Sequence, residues 1–418
     1  MLRAIQAACL SAVLSVPVVA KAADLITADH AIDLAINVDP AIKAAEAGAD
    51  ASTAGLRQAG KLPNPTLGME VENFGGSGSV AGLRSAEYTL AYGQTVELGG
   101  DRGARKAMAN GNVKLANAQL VVQRLDTAKS VREAYIIALS NEAKLELVRE
   151  RVLFAQHIVR AVKQRASKGR DSAMVVRQAQ VNVAQAEVDL VQAERNYQQS
   201  RMQLASLWNG ADDGFVLDKS AFREPANDEG IVQAGAEQSF PDLELYEALS
   251  MRASAGIKLE QARALPDPEF SGGIRRFEGT DETAFLVGVS IPFPVLDSNR
   301  NNIDRAQSEL LQADLSKVSA HRKLTQQLAA VTADRDNARI EISTLRANVI
   351  PQAEEALSLA KSGYDQGAFS YLEVTDASRN LNVVQERLVE ALQRYHISEI
   401  SIARLTGQGV SATAAPRP

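Results

Sequence analysis

"KLPNPTLGMEVENF", residues 61–74, and "ALPDPEFSGGIRRF", residues 264–277, write one pattern twice: a Leu-Pro-Asn/Asp-Pro signature that runs into an alternating, strand-like stretch. A duplicated element implies a duplicated architecture. Pro63, Pro65, Pro266 and Pro268 break an incoming helix and set an extended exit, since proline lacks an N–H and disfavours the helical region for its predecessor. Beyond them Leu67, Met69 and Val71 alternate with Gly68, Glu70 and Glu72; after "GGSGSVAG", residues 75–82, Tyr88, Leu90 and Tyr92 alternate with Thr89 and Ala91. In the second copy "EFSGGIRRF" is followed by Phe285, Val287, Val289, Ile291 and Phe293 at every other position. Period two with one apolar face signals β-structure, so each signature opens a hairpin.

Between the hairpins the chain reads as helix. No proline occurs from Pro65 to Pro225, and from Asp101 to about Ala166 breakers are few, Gly103 and Gly111 excepted. Such a helix is roughly 100 Å long at 1.5 Å per residue. Val148, Val152, Ala155, Val159, Val162 and Ala166 recur with the spacing of a coiled-coil seam. After "SKGRDS" a second helix carries Val176, Ala179, Val183, Ala186, Leu190, Ala193, Tyr197, Ser200, Leu204 and Leu207. Adding 198 to each gives Val374, Ala377, Leu381, Val384, Leu388, Ala391, Tyr395, Ser398, Ile402 and Leu405, alike in character at every position. The same offset takes Gly169 to Gly367, Ser172 to Ser370 and Arg102 to Arg300, whereas the signatures ahead of the hairpins are offset by 203, so the first hairpin is five residues longer. Two tandem repeats follow: residues 23–210 and 241–408, joined by an irregular, Asp- and Gly-containing linker at 211–240 and followed by a disordered tail at 409–418. A second long helix is expected over about 299–361, kinked or broken at Pro351.

Residues 1–22 carry Arg3, an apolar run and an Ala-Lys-Ala site, the pattern of a cleaved secretory signal peptide; a spanning helix is the alternative reading. The single cysteine, Cys9, lies in that segment and lacks a lipoprotein acceptor context. Disulfide staples and thiol chemistry are therefore excluded from the mature chain. Loss of the segment removes Arg3 and Lys21 and no acid, leaving 43 basic against 51 acidic residues. That balance offers nucleic acid nothing. Aromatics make up only 5% of the chain, which suits close-packed helices.

Enzyme chemistry finds no purchase. His30, His157, His321 and His396 are scattered without zinc-site spacing, and the mature methionines are isolated. "GGSGSVAG" has neither the strand nor the helix context of a nucleotide loop. No cofactor is implied. Four strands cannot close a barrel alone, since single-chain membrane barrels begin at about eight. Either each hairpin is buried on a helix, or several chains pool their hairpins with the apolar face toward lipid. An exported, acidic chain without a long apolar segment favours pooling.

"LPNP" followed by "GMEVENFGGSG", then "AEYTLAYGQTVELGGDR", and later "GAFSYLEVTDASRNL" resemble the TolC-type outer-membrane efflux channels, within them the heavy-metal (cobalt-zinc-cadmium, CzcC-like) branch, over nearly the whole mature chain. The resemblance implies a mainly α fold with a small β part: a homotrimer whose hairpins form a 12-stranded barrel in the outer membrane of a Gram-negative bacterium, continued by a periplasmic α-barrel of long helices. It implies as partners outer-membrane lipid, a periplasmic adaptor (membrane fusion protein) and an inner-membrane resistance-nodulation-division (RND) pump, and as function a passive duct for heavy-metal cations. By that analogy the turns at Lys168–Ser172 and Gln366–Ser370 form the periplasmic tip, where Gly169, Ser172, Gly367 and Ser370 would meet the adaptor; as plain turn and cap residues they need no partner.

Glu373 and Asp376 sit three apart and share a helix face. The resemblance places them at an acidic constriction, with Glu373 in place of the more usual Asp and with Phe369 where some relatives carry a basic latch. Three-fold symmetry would make each carboxylate a ring, favouring cations and raising neighbouring pKa values through mutual repulsion. Acids that merely complement a helix dipole are the alternative, yet the first repeat carries Val175 and Gln178 there. Two other functions fit less well: an outer-membrane partner for type I protein secretion or drug efflux, and a soluble periplasmic coiled-coil scaffold.

Overall fold

The computed structural model describes residues 25–210, 214–223 and 240–407. The segment read as a signal peptide, most of the expected linker and the expected C-terminal tail lie outside the described residues. The first pass comprises β1 (Leu25–Ile26), α1 (Ala28–Val38), α2 (Pro40–Ala59), β2 (Thr66–Glu72), β3 (Glu87–Thr95), α3 (Asp101–Ser167) and α4 (Ala173–Ser206). After β4 (Val216–Leu217) and α5 (Ser220–Arg223), the second comprises α6 (Pro241–Ala262), β5 (Glu269–Phe277), β6 (Glu282–Ser290), α7 (Arg300–Thr344), α8 (Ile350–Gln366) and α9 (Tyr371–Thr406). None of the described helices is long and apolar enough to cross a membrane.

The heptad seams are where the helices meet. In α3, Val148, Val152 and Val162 are buried; in α4, Ala179, Ala186, Ser200 and Leu204; in α9, Val374, Ala391, Tyr395, Ser398 and Ile402. The small residues set the distance between axes. At Gly111, midway through the contact of α3 with α6, an added Cβ would lie 2.8 Å from the Arg252 Cα, so only glycine admits the crossing.

α3 is continuous for 67 residues. Its counterpart is jointed: a π-helical turn at Leu345–Val349 separates α7 from α8, with Pro351 at the start of α8. Proline supplies no N–H to the carbonyl four residues back and its ring crowds that carbonyl, so the helix widens by a residue and carries on instead of stopping.

β2, β3, β5 and β6 form one antiparallel sheet in that order. Register places Leu67, Tyr92, Gly272 and Val287 in one row and Met69, Leu90, Ile274 and Phe285 in another, so the apolar side chains share one face and are exposed. Alternation puts Glu70, Glu72, Glu87, Glu269 and Glu282 on the other face with Arg275. That guanidinium pairs with Glu72 at 2.8 Å and Glu87 at 2.9 Å. Both edge strands, β2 and β6, have a partner on one side only.

The linker holds more order than its composition suggests. β4 pairs in parallel with β1, a strap that sequence reading missed because two-residue strands carry no period. Tyr135 of α3 fastens it, donating to the Ile26 carbonyl at 2.9 Å and accepting from the Asp218 N–H at 2.8 Å. Burial pushes the Tyr135 hydroxyl up to about 12.

α7 and α9 are stitched by Glu341, which accepts from Arg387 and from Arg394, both at 2.5 Å. The Arg387 hydrogen bond leads in holding the carboxyl below its ordinary 4.5. A depressed carboxylate stabilises the fold above its unfolded pKa and loses that contribution as pH falls through the folded value. Glu341→Gln is therefore expected to cost about 1 kcal/mol at pH 7, discounted for the exposed arginines. The melting difference from wild type should shrink as pH falls below 4.5 and vanish once the folded-state carboxyl is protonated; a difference that does not change with pH would assign the effect to packing.

Candidate functional site at the helical tip

α3 and α4 are joined by the turn at Lys168–Ser172, and α8 and α9 by the turn at Gly367–Ser370. Gly169 (φ 71°) and Gly367 (φ 82°) occupy the left-handed region. The Gly169 N–H donates to the Ala166 carbonyl at 2.9 Å and the Gly367 N–H to the Tyr364 carbonyl at 3.0 Å, closing each helix end. Ser172 caps α4 by accepting from the Val175 N–H at 3.4 Å. Ser370 caps α9 by accepting from the Leu372 N–H at 3.3 Å.

One apolar cluster packs the two hairpins together: Ile158, Val162, Ala179, Leu357, Ala360, Tyr364, Tyr371 and Val374. At its end a polar clasp crosses from one turn to the other. Arg165 donates through Nε to Asp171 Oδ2 at 3.0 Å and through Nη1 to the Tyr364 carbonyl at 2.6 Å. The Tyr364 hydroxyl donates to the same Asp171 oxygen at 2.5 Å, and the guanidinium lies 4.3 Å from the centroid of the Tyr364 ring. Burial first, and then the bond to the Asp171 carboxylate, push the Tyr364 hydroxyl upward, keeping it a donor.

The Arg165–Asp171 ion pair is present in the first repeat only. By the 198 offset Arg165 corresponds to Gly363 and Asp171 to Phe369, and there the ion pair is replaced by a stacked ring: a Cβ on Gly363 would fall 2.1 Å from Phe369 Cδ2. Sequence reasoning passed over Arg165, Asp171 and Tyr364. The signal was available in the same comparison of repeats that singled out the acids, since Tyr364 likewise falls opposite Ala166.

Glu373 and Asp376 are both exposed, one turn apart. Glu373 completes a capping box: its carboxylate accepts from the Ser370 N–H at 2.7 Å and from the Ser370 hydroxyl. The hydroxyl bond leads in holding the carboxyl below its ordinary range, the reverse of the rise that repulsion within a ring implies, because in the single chain its nearest neighbours are donors. Asp376 accepts from Arg379 at 3.2 Å. Arg379 lines a groove between α3, α4 and α9, in which Arg151 ties Asp189 of α4 to Glu386 of α9. Four predicted tip residues, Gly169, Ser172, Gly367 and Ser370, thus lie on adjoining turns, with the acids on the first turns of α9. Among the described residues no group of three or more His, Cys, Asp or Glu could hold a metal ion.

Two tip-closed helical hairpins and a four-stranded sheet with two open edges are a particular architecture, and residues 31–210 and 234–408 match the family model described as outer membrane efflux protein. The chain belongs to the outer membrane efflux protein family. It is an outer-membrane efflux channel and not an enzyme. Over 400 residues it is 30% identical to the cobalt-zinc-cadmium resistance protein CzcC of Cupriavidus metallidurans, covering 93% of this chain and 91% of that one. It is 29% identical over 317 residues to the nickel and cobalt resistance protein CnrC of the same organism, 76% of this chain and 71% of that one. Among solved structures, the outer membrane protein VceC of Vibrio cholerae superimposes with a TM-score of 0.74 at 20% identity, covering 91% of this chain and 96% of that one. The fold of the efflux channel is therefore the TolC type, in which each chain contributes four strands to a shared barrel and long helices to an α-barrel.

Proposed function

We propose that three chains associate edge to edge, β6 of one against β2 of the next, into a 12-stranded barrel, and that the tube passively exports divalent heavy-metal cations. The observation that carries the cation reading is the inner face of the sheet. Five glutamates alternate there against Arg275, so three chains would line the barrel with a strong excess of carboxylates. Resistance to divalent metals in the names of CzcC and CnrC supports the same substrate class. Open edges on both sides of the sheet support association, since an unpaired edge seeks another strand.

In this reading an inner-membrane pump of the RND class and a periplasmic adaptor deliver the cation. The adaptor meets the turns around Gly169, Ser172, Gly367 and Ser370, the clasp holds the tip shut, and Glu373 and Asp376 of three chains line the narrowest ring. Nothing along the tube needs to bind the cation tightly, because conduction requires release as much as entry.

Deletion of the gene and exposure to a panel of cobalt, zinc, cadmium, nickel and hydrophobic drugs tests it. Sensitivity should rise for the divalent metals and be restored by the plasmid-borne gene. Sensitivity confined to drugs, or loss of a secreted polypeptide, would assign the channel to drug efflux or protein secretion instead. Purified protein should run as a detergent-stable trimer and conduct ions in a planar bilayer; a water-soluble, non-conducting monomer would overturn the assembly.

A further inference from the structure

The apolar face of the sheet is too short for the membrane it must cross. On β6 the outward apolar residues of the hydrogen-bonded strand run from Phe285 to Val289, about 13 Å at 3.3 Å per residue. Tilt in a barrel shortens that to about 10 Å against the roughly 25 Å apolar band of an outer-membrane barrel. Toward the outer rim the lipid-facing positions turn polar, with Thr283 on β6 and Arg276 on β5. The missing height therefore lies at the helical end.

There the chain leaves β6 through Ile291-Pro292-Phe293-Pro294-Val295-Leu296. Ile291, Phe293 and Val295 keep the parity of Val287 and Val289, and the segment is among the most exposed of the described chain, Phe293 at 87% and Leu296 at 101%. β3 does the same: Val96 and Leu98 continue the face of Tyr88, Leu90 and Tyr92 beyond its last residue, and both are exposed. From Phe285 to Phe293, where the chain turns, the span is about 26 Å along the chain, or about 20 Å at the usual barrel tilt, twice what the paired strand alone provides.

The overhang is built for a place where backbone hydrogen bonds are hard to make. Pro292 and Pro294 have no N–H to leave unsatisfied, and the Val295 N–H donates to the Phe293 carbonyl at 2.9 Å. Charge is sorted in the same region. Lys61, Arg102 and Arg300 are exposed, as is Arg263, which pairs with Glu260 at 2.9 Å, whereas the Glu97 side chain is buried against Arg105 and Asp101 is buried. Asp297 and, one turn into α7, Asp304 are exposed acids, the Asp297 Oδ1 being engaged by the Asn299 N–H at 2.9 Å.

We infer that residues 291–296, with Val96 and Leu98, form a collar seated in the periplasmic leaflet of the outer membrane. The apolar side chains extend the hydrocarbon band, and the basic residues beneath meet the phosphates of an anionic phospholipid surface. The inference rests on the proposed barrel, and continuity with its lipid-facing side identifies the occupant as lipid.

Tryptophan quenching by brominated lipid tests it. Full-length Trp208→Phe protein carrying either Phe285→Trp on the strand or Phe293→Trp on the overhang is reconstituted into phosphatidylcholine–phosphatidylglycerol vesicles with and without dibrominated chains. Wild-type Trp208, packed against the helical core, serves as the unquenched reference. Both introduced tryptophans should lose emission to a comparable extent, with bromines near the headgroup quenching position 293 more than 285. Quenching at 285 alone would overturn the collar and leave the barrel intact; quenching at neither would overturn the barrel with it. Leu296→Trp replaces Phe293→Trp if that variant fails to assemble, and is judged by the same outcomes.

Discussion

Asp171→Ala is expected to leave the channel partly open in the absence of its adaptor, with a bilayer conductance well above wild type. The carboxylate receives the Arg165 Nε and the Tyr364 hydroxyl at once, and its loss leaves the hydroxyl without this acceptor and the guanidinium held only by the Tyr364 and Asp365 carbonyls. Hydrogen bonds to charged groups contribute about 1.5–3 kcal/mol each. Loss of the pair, about 3–6 kcal/mol, would shift the closed-to-open ratio of each protomer by about 100- to 10,000-fold, at 1.4 kcal/mol per decade, to the extent that both bonds are confined to the closed state. Tyr364→Phe removes one of the two bonds and should fall between. A clasp that only stabilises the hairpins would lower the melting temperature of both variants and leave single-channel conductance unchanged, and that result would remove it from the gate.

Glu373→Gln with Asp376→Asn should abolish most of the cation preference measured as reversal potential under a salt gradient. Six negative charges leave the ring of a trimer, while the glutamine can still complete the capping box at Ser370, so the helix start survives and the effect is one of charge. The pH dependence separates two electrostatic pictures. If Ser370 dominates, as it does in the single chain, Glu373 stays ionised below its ordinary 4.5 and selectivity persists into acid; if repulsion across the ring dominates, selectivity fades above it. Unchanged selectivity and unchanged divalent-cation block in a folded trimer would leave both acids as helix-start residues.

Much of this was legible in the sequence because long helices and hairpins write periodic signals. The seam of α4 maps onto that of α9 position by position, and every one of those residues is buried or half-buried. Pro351 marked a departure, but whether a proline stops a helix or widens it depends on the packing that holds both sides in line, which α9 supplies and no local signal encodes. The β1–β4 strap escaped for want of length. At the tip, Ser172 and Ser370 announced their caps, whereas the clasp joins residues about two hundred positions apart and shows only as a place where the repeats disagree. Glu373 was visible as an acid, but its engagement by Ser370 depended on the rotamers of both side chains.

The π-helical joint gives the two halves of the chain unequal stiffness. α3 is an unbroken rod down to its turn, while the matching rod in the second half has a weak point about twenty residues above its own turn, where hydrogen bonding has already been relaxed. A load applied to the tip would meet its least resistance at that level, once α8 parts from the apolar cluster that packs it on α3. Three such chains around an axis would yield as an iris does, with three blades swinging on fixed pivots against three posts that do not move.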